Sequence, residues 1–179
     1  RATDIQARLG SDIQMVFDEC LAYPATHADA ASSMERSVRW AARCRARLQA
    51  LRQGPPPDVT VTNPGQAQFG IVQGGVFQDL RDASADATVA LGFEGYAIGG
   101  LSVGEPVDVM YSVVEGTAAR LPEGQPRYLM GAGTPHDLVE CVLSQQFGDD
   151  EQRAVIAGFV DRLLQQLSPT EVAQRLIVG

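Results

Sequence analysis

Phe69-Gly-Ile-Val-Gln-Gly-Gly75 and, further on, Gly95-Tyr-Ala-Ile-Gly-Gly-Leu-Ser-Val-Gly-Glu-Pro106 decide how this chain is read. Each begins as a short apolar run, Phe69 to Gln73 and Tyr96 to Ile98, and each run stops at paired glycines. Between them Val76, Leu80, Ala83, Ala87 and Leu91 recur at helical spacing, so the segment reads as strand, turn, helix, strand, turn, a βαβ unit. Glycine pairs just past two strands let backbone N–H groups approach a ligand closely, because no Cβ intervenes. In parallel α/β sheets and barrels, ligands bind at the C-terminal ends of the strands.

Working outward, residues 2–10 suit a short helix ending at Gly10. Asp12 to Asp18 is mostly apolar and reads as a buried strand running into Asp18-Glu19-Cys20. Asp18 there is either a ligand-facing acid or an ordinary cap or loop carboxylate. Tyr23-Pro24 opens a polar loop, after which Ser32 or Ser33 is placed to cap a helix reaching about Arg52, with Met34, Val38, Ala41, Ala42 and Leu48 on one side. Gly54-Pro-Pro-Pro57 breaks the chain, and a surface loop extends to Gln68.

Beyond the central unit, Pro106 opens a helix carrying Val109, Met110, Val113 and Val114. Arg127 to Gly133 reads as a further strand with a Gly-x-Gly turn, and Thr134-Pro135 caps and starts the next helix. Strands thus alternate with helices over four βα units, the pattern of a parallel sheet covered by helices. After Val142 the strand pattern stops. Ile156, Phe159, Val160, Leu163 and Leu167 make one helical stripe, and Ser168-Pro-Thr-Glu171 is a capping box for a last helix to about Val178. The stripe suits either the flank of the sheet or a homo-oligomer contact. The expected organisation is therefore an α/β domain over residues 1–142 and a helical tail over 143–179.

At 179 residues the chain is long enough for one domain with a real core. No apolar run approaches the roughly 20 residues of a membrane span, and the N-terminal sequence lacks a signal-peptide core, so a cytoplasmic protein with no membrane partner is expected. Cys20, Cys44 and Cys141 are scattered and odd in number, which argues against a disulfide framework. No Cys-x-x-Cys occurs, and His27 and His136 stand far in sequence from any cysteine pair, so no self-contained zinc site or other cofactor is expected. A net charge of −8 disfavours nucleic-acid binding by bulk charge. The arginines Arg36, Arg39, Arg43, Arg45, Arg47 and Arg52 nevertheless crowd into one segment, as a solvated helix face or as a phosphate-facing surface.

Asp18, Gln73, Gly99-Gly100 and Gly131–Gly133 all fall where a strand hands over to a loop, points that share one rim in a parallel layout. A carboxylate, a primary amide and backbone N–H groups meeting there suit a flat polar heterocycle such as guanine. The carboxylate accepts from N1–H and the exocyclic amine, and the amide and backbone donors meet the base oxygen and N7.

The residues also resemble a known family. Leu9-Gly-Ser-Asp-Ile-Gln-Met-Val-Phe-Asp-Glu-Cys20, Tyr23-Pro-Ala25, Ser33-Met-Glu-Arg-Ser-Val-Arg-Trp-Ala41, Phe69-Gly-Ile-Val-Gln-Gly74, Gly92 through Pro106 and Pro126-Arg-Tyr-Leu-Met-Gly-Ala-Gly133 resemble the middle of the queuine tRNA-ribosyltransferases, or tRNA-guanine transglycosylases. The resemblance covers about residues 2 to 142. It implies a (β/α)8 (TIM) barrel, here partial with about four parallel βα units. It also implies a glycosyltransferase (pentosyltransferase) of tRNA modification, which exchanges guanine at the wobble position for a 7-deazaguanine in queuosine biosynthesis. By the same match Asp18 reads the guanine edge, Gln73 and the Gly100 backbone hold the base oxygen, and Leu101 contributes backbone at the substituent side. Cys20 and Val103 resemble the bacterial branch, whose base is preQ1. Gly131, Ala132, Gly133, Thr134, Pro135, His136 and Asp137 match a segment that touches tRNA.

Departures from the family pattern set a further expectation. The family's acid/base aspartate lies upstream, in a Ser-Gly-Gly-Phe-Gln context with no counterpart here. The place of the nucleophile, typically Asp-Met-Phe-Asp, holds Leu143-Ser-Gln-Gln-Phe-Gly-Asp-Asp150. Asp149 and Asp150 read as helix-cap and first-turn acids. The family's zinc ligands also lack a match. With no catalytic residue matched, this chain is expected to recognise the base without turning over alone; the alternatives are a non-catalytic protein that binds tRNA or supports a full-length family partner, and an inactive gene remnant.

Overall fold

A computed structural model describes residues 1–131 of the chain. Two compact units are present, Arg1–Met130 and Gly131–Gly179, and every described element belongs to the first. The helices expected after Thr134, Asp149 and Ser168 lie outside the described residues.

The order of elements is α1 (Ala2–Leu9), β1 (Ile13–Met15), α2 (His27–Gln53), β2 (Ala67–Val72), α3 (Gln78–Ala90), β3 (Gly95–Ile98), α4 (Val107–Arg120) and β4 (Arg127–Leu129). The strands form one sheet in the order β1-β2-β3-β4, and every pairing is parallel. Spatial order therefore follows chain order, with α2, α3 and α4 as successive crossovers. All strand C-termini point to the same rim, so loops far apart in sequence become neighbours there. Among the described residues no helix is long and apolar enough to cross a membrane.

Gly10 ends α1 in the left-handed region, φ 71°, and donates its N–H to the Gln6 carbonyl. A Cβ there would approach the Thr62 side chain to 2.7 Å, so the turn needs glycine for space as well as for conformation. Gln6 then turns its amide onto Met15, donating to its carbonyl at 2.9 Å and accepting its N–H at 3.0 Å. One side chain thereby supplies what a neighbouring strand would give the open edge of β1.

β1 departs from the expected buried strand. It spans only Ile13–Met15 at the sheet edge, with Ile13 and, just beyond, Phe17 about half exposed (50% and 55%). An apolar run looks alike whether one or both of its faces are covered.

α2 begins at His27, earlier than Ser32 or Ser33. Thr26 is its cap, accepting the Asp29 N–H at 3.1 Å while its hydroxyl donates to the Asp29 carboxylate at 2.7 Å. The serines instead sit within the helix, and Ser33 and Ser37 grip the loop that carries Asp18. Ser37 Oγ accepts the Glu19 N–H at 2.9 Å, and Ser33 Oγ donates to the Glu19 carbonyl at 3.2 Å. Serine at a cap and serine on a buried helix face read the same in sequence.

The α3 stripe also differs. Leu80, Arg81, Ser84, Ala85 and Thr88 are its buried residues, whereas Ala83 is exposed. Thr88 and Phe93 cover Gly70 of β2, where a Cβ would come within 2.5 Å of both. The helix packs so tightly there that a small strand residue opposite a small or polar helix face replaces the usual apolar pairing. On the other face of the sheet Phe69 lies over Gly95.

Candidate functional site

The rim above β1, β2 and β3 is assembled from three loops. Gln73, immediately after β2, is 3% exposed, and its N–H donates to Ser84 Oγ at 3.0 Å. Its amide Nε2 donates to Asp18 Oδ2 at 2.7 Å, joining groups 55 positions apart in sequence. The other head atom, Oε1, lies against Gly100, where φ is 69° and an added Cβ would collide with it. Glycine is therefore required for the backbone and the Gln73 amide to share this space.

Next along the loop, Leu101 is buried at 4% exposure and anchors the segment, while Ser102 stands in the left-handed region at φ 58°. The Glu105 carboxylate holds that turn by accepting the N–H groups of Ser102 and Val103, the latter at 2.9 Å. Val103 lines a small cleft with Leu21, Tyr23, Gly75, Phe77 and Gly100. Cys20 is exposed beside it. Partial burial pushes its thiol pKa up, helped by the Asp18 and Glu105 charges and opposed by Arg81 and by the Gly100 N–H.

The residue that sequence reasoning missed is Arg81. It is wholly buried, and it donates to the carbonyls of Gly75 (2.7 Å), Val72 (3.2 Å), Gly99 (2.6 Å) and Gly100 (3.3 Å). Burial lowers its pKa to about 10, with Glu105 and Cys20 acting the other way, so the guanidinium is charged at neutral pH. A polar residue inside a helical stripe of mostly small residues was the one signal for it in the sequence. Glu105, Ser33, Ser37 and Ser84 were missed likewise, because each acts through backbone groups of a loop.

Gly131, at φ 86°, is the last described residue, and Ala132, Gly133, Thr134, Pro135, His136 and Asp137 lie outside the described residues, as does Leu143–Asp150. The arginine-rich helix is largely paired internally. Arg36 meets Glu19, Arg47 meets Asp4, and Arg45 and Arg52 both meet Glu94. Among the described residues no group of three or more His, Cys, Asp or Glu is arranged to hold a metal ion. A larger cavity of about 570 Å³ is lined by Phe17, Trp40, Cys44 and the α2 residues Arg43 and Arg47, and neither Asp18 nor Gln73 lines it.

A carboxylate hydrogen-bonded to a primary amide, beside glycine backbone at the strand ends of a parallel sheet, makes this rim of the α/β protein the candidate site for a polar ligand. Residues 1–144 match the family model described as queuine tRNA-ribosyltransferase, and the chain belongs to that family. It is 54% identical over 142 residues to the queuine tRNA-ribosyltransferases of Aliivibrio fischeri and Vibrio vulnificus. Identity to that of Photobacterium profundum is 52% over the same length. These matches cover 79% of this chain, which spans about 35% of the length of the curated relatives.

Proposed function

We propose that this chain carries the base-recognition part of a tRNA-guanine transglycosylase, reading guanine, or the 7-deazaguanine preQ1, at the tRNA wobble position in queuosine biosynthesis. The observation that carries the reading is the Asp18–Gln73 hydrogen bond of 2.7 Å beside Gly100. With Oδ2 engaged by Gln73, the Asp18 carboxylate keeps acceptor capacity for the N1–H and amino group of guanine. Gln73 keeps its second amide proton, the Gly100 backbone adds a donor for the base oxygen, and Leu101 contributes backbone at the substituent side. Cys20 and Val103 border the side where a 7-substituent would emerge.

The strand order supports a partial (β/α)8 barrel. A sheet that adds each strand on the same side, with no reversal, is the arrangement of a barrel segment, whereas doubly wound sheets reverse at a switch point. In this reading residues 1–142 are the barrel part, 143–179 a helical tail, and Gly131–Asp137 the segment that meets tRNA. The chain works in the cytoplasm without a metal of its own. It holds the base, and turnover needs a nucleophilic carboxylate from outside the described residues.

Calorimetric titration of the chain with guanine, preQ1 and adenine tests this. Guanine and preQ1 binding with adenine at least tenfold weaker is the expected result, and equal affinity for adenine overturns the reading. Exchange of labelled guanine into tRNA, by the chain alone and with a full-length family enzyme, tests turnover. No exchange by the chain alone is expected.

A further inference from the structure

Arg81 is a buried cation that, among the described residues, forms no ion pair with a carboxylate. Its partners are four carbonyl oxygens: Val72 at the end of β2 and Gly75 in the loop that follows, and Gly99 and Gly100 after β3. The planar guanidinium presents its donors in a fixed fork, so one side chain fixes the direction of several peptide planes at once.

Those planes decide where the neighbouring N–H groups point. In a trans peptide, C=O and the following N–H are antiparallel. Turning the Gly99 carbonyl onto Arg81 therefore aims the Gly100 N–H away from it, and turning the Gly100 carbonyl does the same for Leu101. The other N–H groups of this loop are already engaged: Gly99 donates to the Val72 carbonyl at 3.0 Å, and Ser102 and Val103 donate to Glu105. Among the described residues the Gly100 N–H meets only the Cys20 sulfur, and the Leu101 N–H meets no acceptor. Two donors thus stand without an oxygen partner beside the Gln73 amide, each with a positive charge behind its peptide. A cation on the carbonyl side draws electron density through the amide and makes its N–H a stronger donor.

We infer that Arg81 is a positioning residue for base recognition: by holding the Gly99 and Gly100 carbonyls it aims the Gly100 N–H at the oxygen-bearing edge of a bound purine and the Leu101 N–H at the adjoining substituent side, and strengthens both as donors. This rests on the base-binding reading above. It assigns discrimination between an oxo-purine and its oxygen-free analogue to a side chain that touches neither.

Arg81→Lys, checked for folding by circular dichroism, is titrated with guanine and with 2-aminopurine, which lacks the exocyclic oxygen and with it the N1 proton, so that only the change in their affinity ratio between wild type and variant is read. Guanine affinity is expected to fall about tenfold, the value of roughly one charge-assisted hydrogen bond, while 2-aminopurine affinity stays within about twofold. A folded variant with an unchanged guanine to 2-aminopurine ratio overturns the inference. Amide spectra of the ligand-free proteins give an independent readout. The Val76, Gly100 and Leu101 cross-peaks are expected to move in Arg81→Lys, and unmoved peaks overturn the positioning role. If wild type binds neither base, the base-binding reading fails, and those spectra still decide whether Arg81 sets the loop. Should Arg81→Lys not fold, the wild-type guanidinium resonances decide: resolved, slowly exchanging Nη–H signals support the clamp, and averaged, fast-exchanging ones overturn it.

Discussion

The clusters around Glu94 and around Asp18 and Arg81, at opposite rims of the sheet, treat charge in opposite ways. At the N-terminal rim, Glu94 precedes β3 and its carboxylate accepts from Arg45 at 2.9 Å, from Arg52 at 3.2 Å and from the Gln68 N–H at 2.9 Å. The arginines also reach carbonyls, Arg45 that of Gly92 and Arg52 that of Gln66 at 2.6 Å, and Arg45 lies 5.3 Å over the Phe93 ring. Partial burial works against the Glu94 charge, yet these partners prevail and hold its pKa at about 2. At the C-terminal rim Glu19 pairs with Arg36, but Asp18 and Arg81 are kept apart. Asp18 is held by a neutral amide and Arg81 by carbonyls alone. Charges neutralised by each other tie the chain together, whereas charges held by neutral groups keep their field for something that arrives later.

Substitutions at the two rims break or sharpen that contrast. The largest effect on binding is expected from Asp18→Ala: guanine affinity by calorimetry drops about 100-fold, from loss of a charge-assisted pair of hydrogen bonds, with little change in thermal midpoint. A large fall in stability instead would make Asp18 a structural acid and erase the distinction. Gly100→Ala comes next, since the new methyl collides with Gln73 Oε1 at a φ that disfavours alanine. It should weaken guanine roughly tenfold and cost about 1–2 kcal/mol in denaturant unfolding.

Glu94→Ala should behave in the reverse sense. Base affinity stays unchanged, and stability falls by about 1 kcal/mol, kept modest because the carboxylate is partly solvated. The smallest effect is in the pH profile. A carboxylate whose pKa is lowered from 4.5 to about 2 on folding contributes fully above pH 4.5, and that contribution is lost as the pH falls toward 2. Glu94→Gln should flatten the stability curve between those values. An unaltered slope would show that Glu94 contributes nothing to acid unfolding.

Much of the layout was legible because βα units announce themselves. Gly10, the glycine pairs at 74–75 and 99–100, and Pro106 each mark a place where the backbone must turn or a helix starts. The alternation of elements, the parallel sheet and the position of Asp18 and Gln73 after successive strands follow from that punctuation. The start of α2 is hidden because Ser32 and Ser33 look like caps, while the real one, Thr26, lies in a run with no apolar period to flag it. The face of α3 is hidden because apolarity is the guide that sequence offers, and this helix buries Arg81, Ser84 and Thr88 against glycine-bearing strands.

The sequence by itself determined the succession of strands, helices and glycine turns, and hence that Asp18, Gln73 and Gly100 stand on one rim, since those features depend on local backbone preference and on periodicity. Only the tertiary structure decided which polar groups meet there. The Gln73–Asp18 bond, the Glu105 grip on its own loop and the Arg81 fork on four carbonyls depend on side-chain reach across crossovers and turns. A hydrogen bond to a carbonyl leaves no mark on the identity of the residue that owns the carbonyl, so such partners cannot be read from the order of the residues.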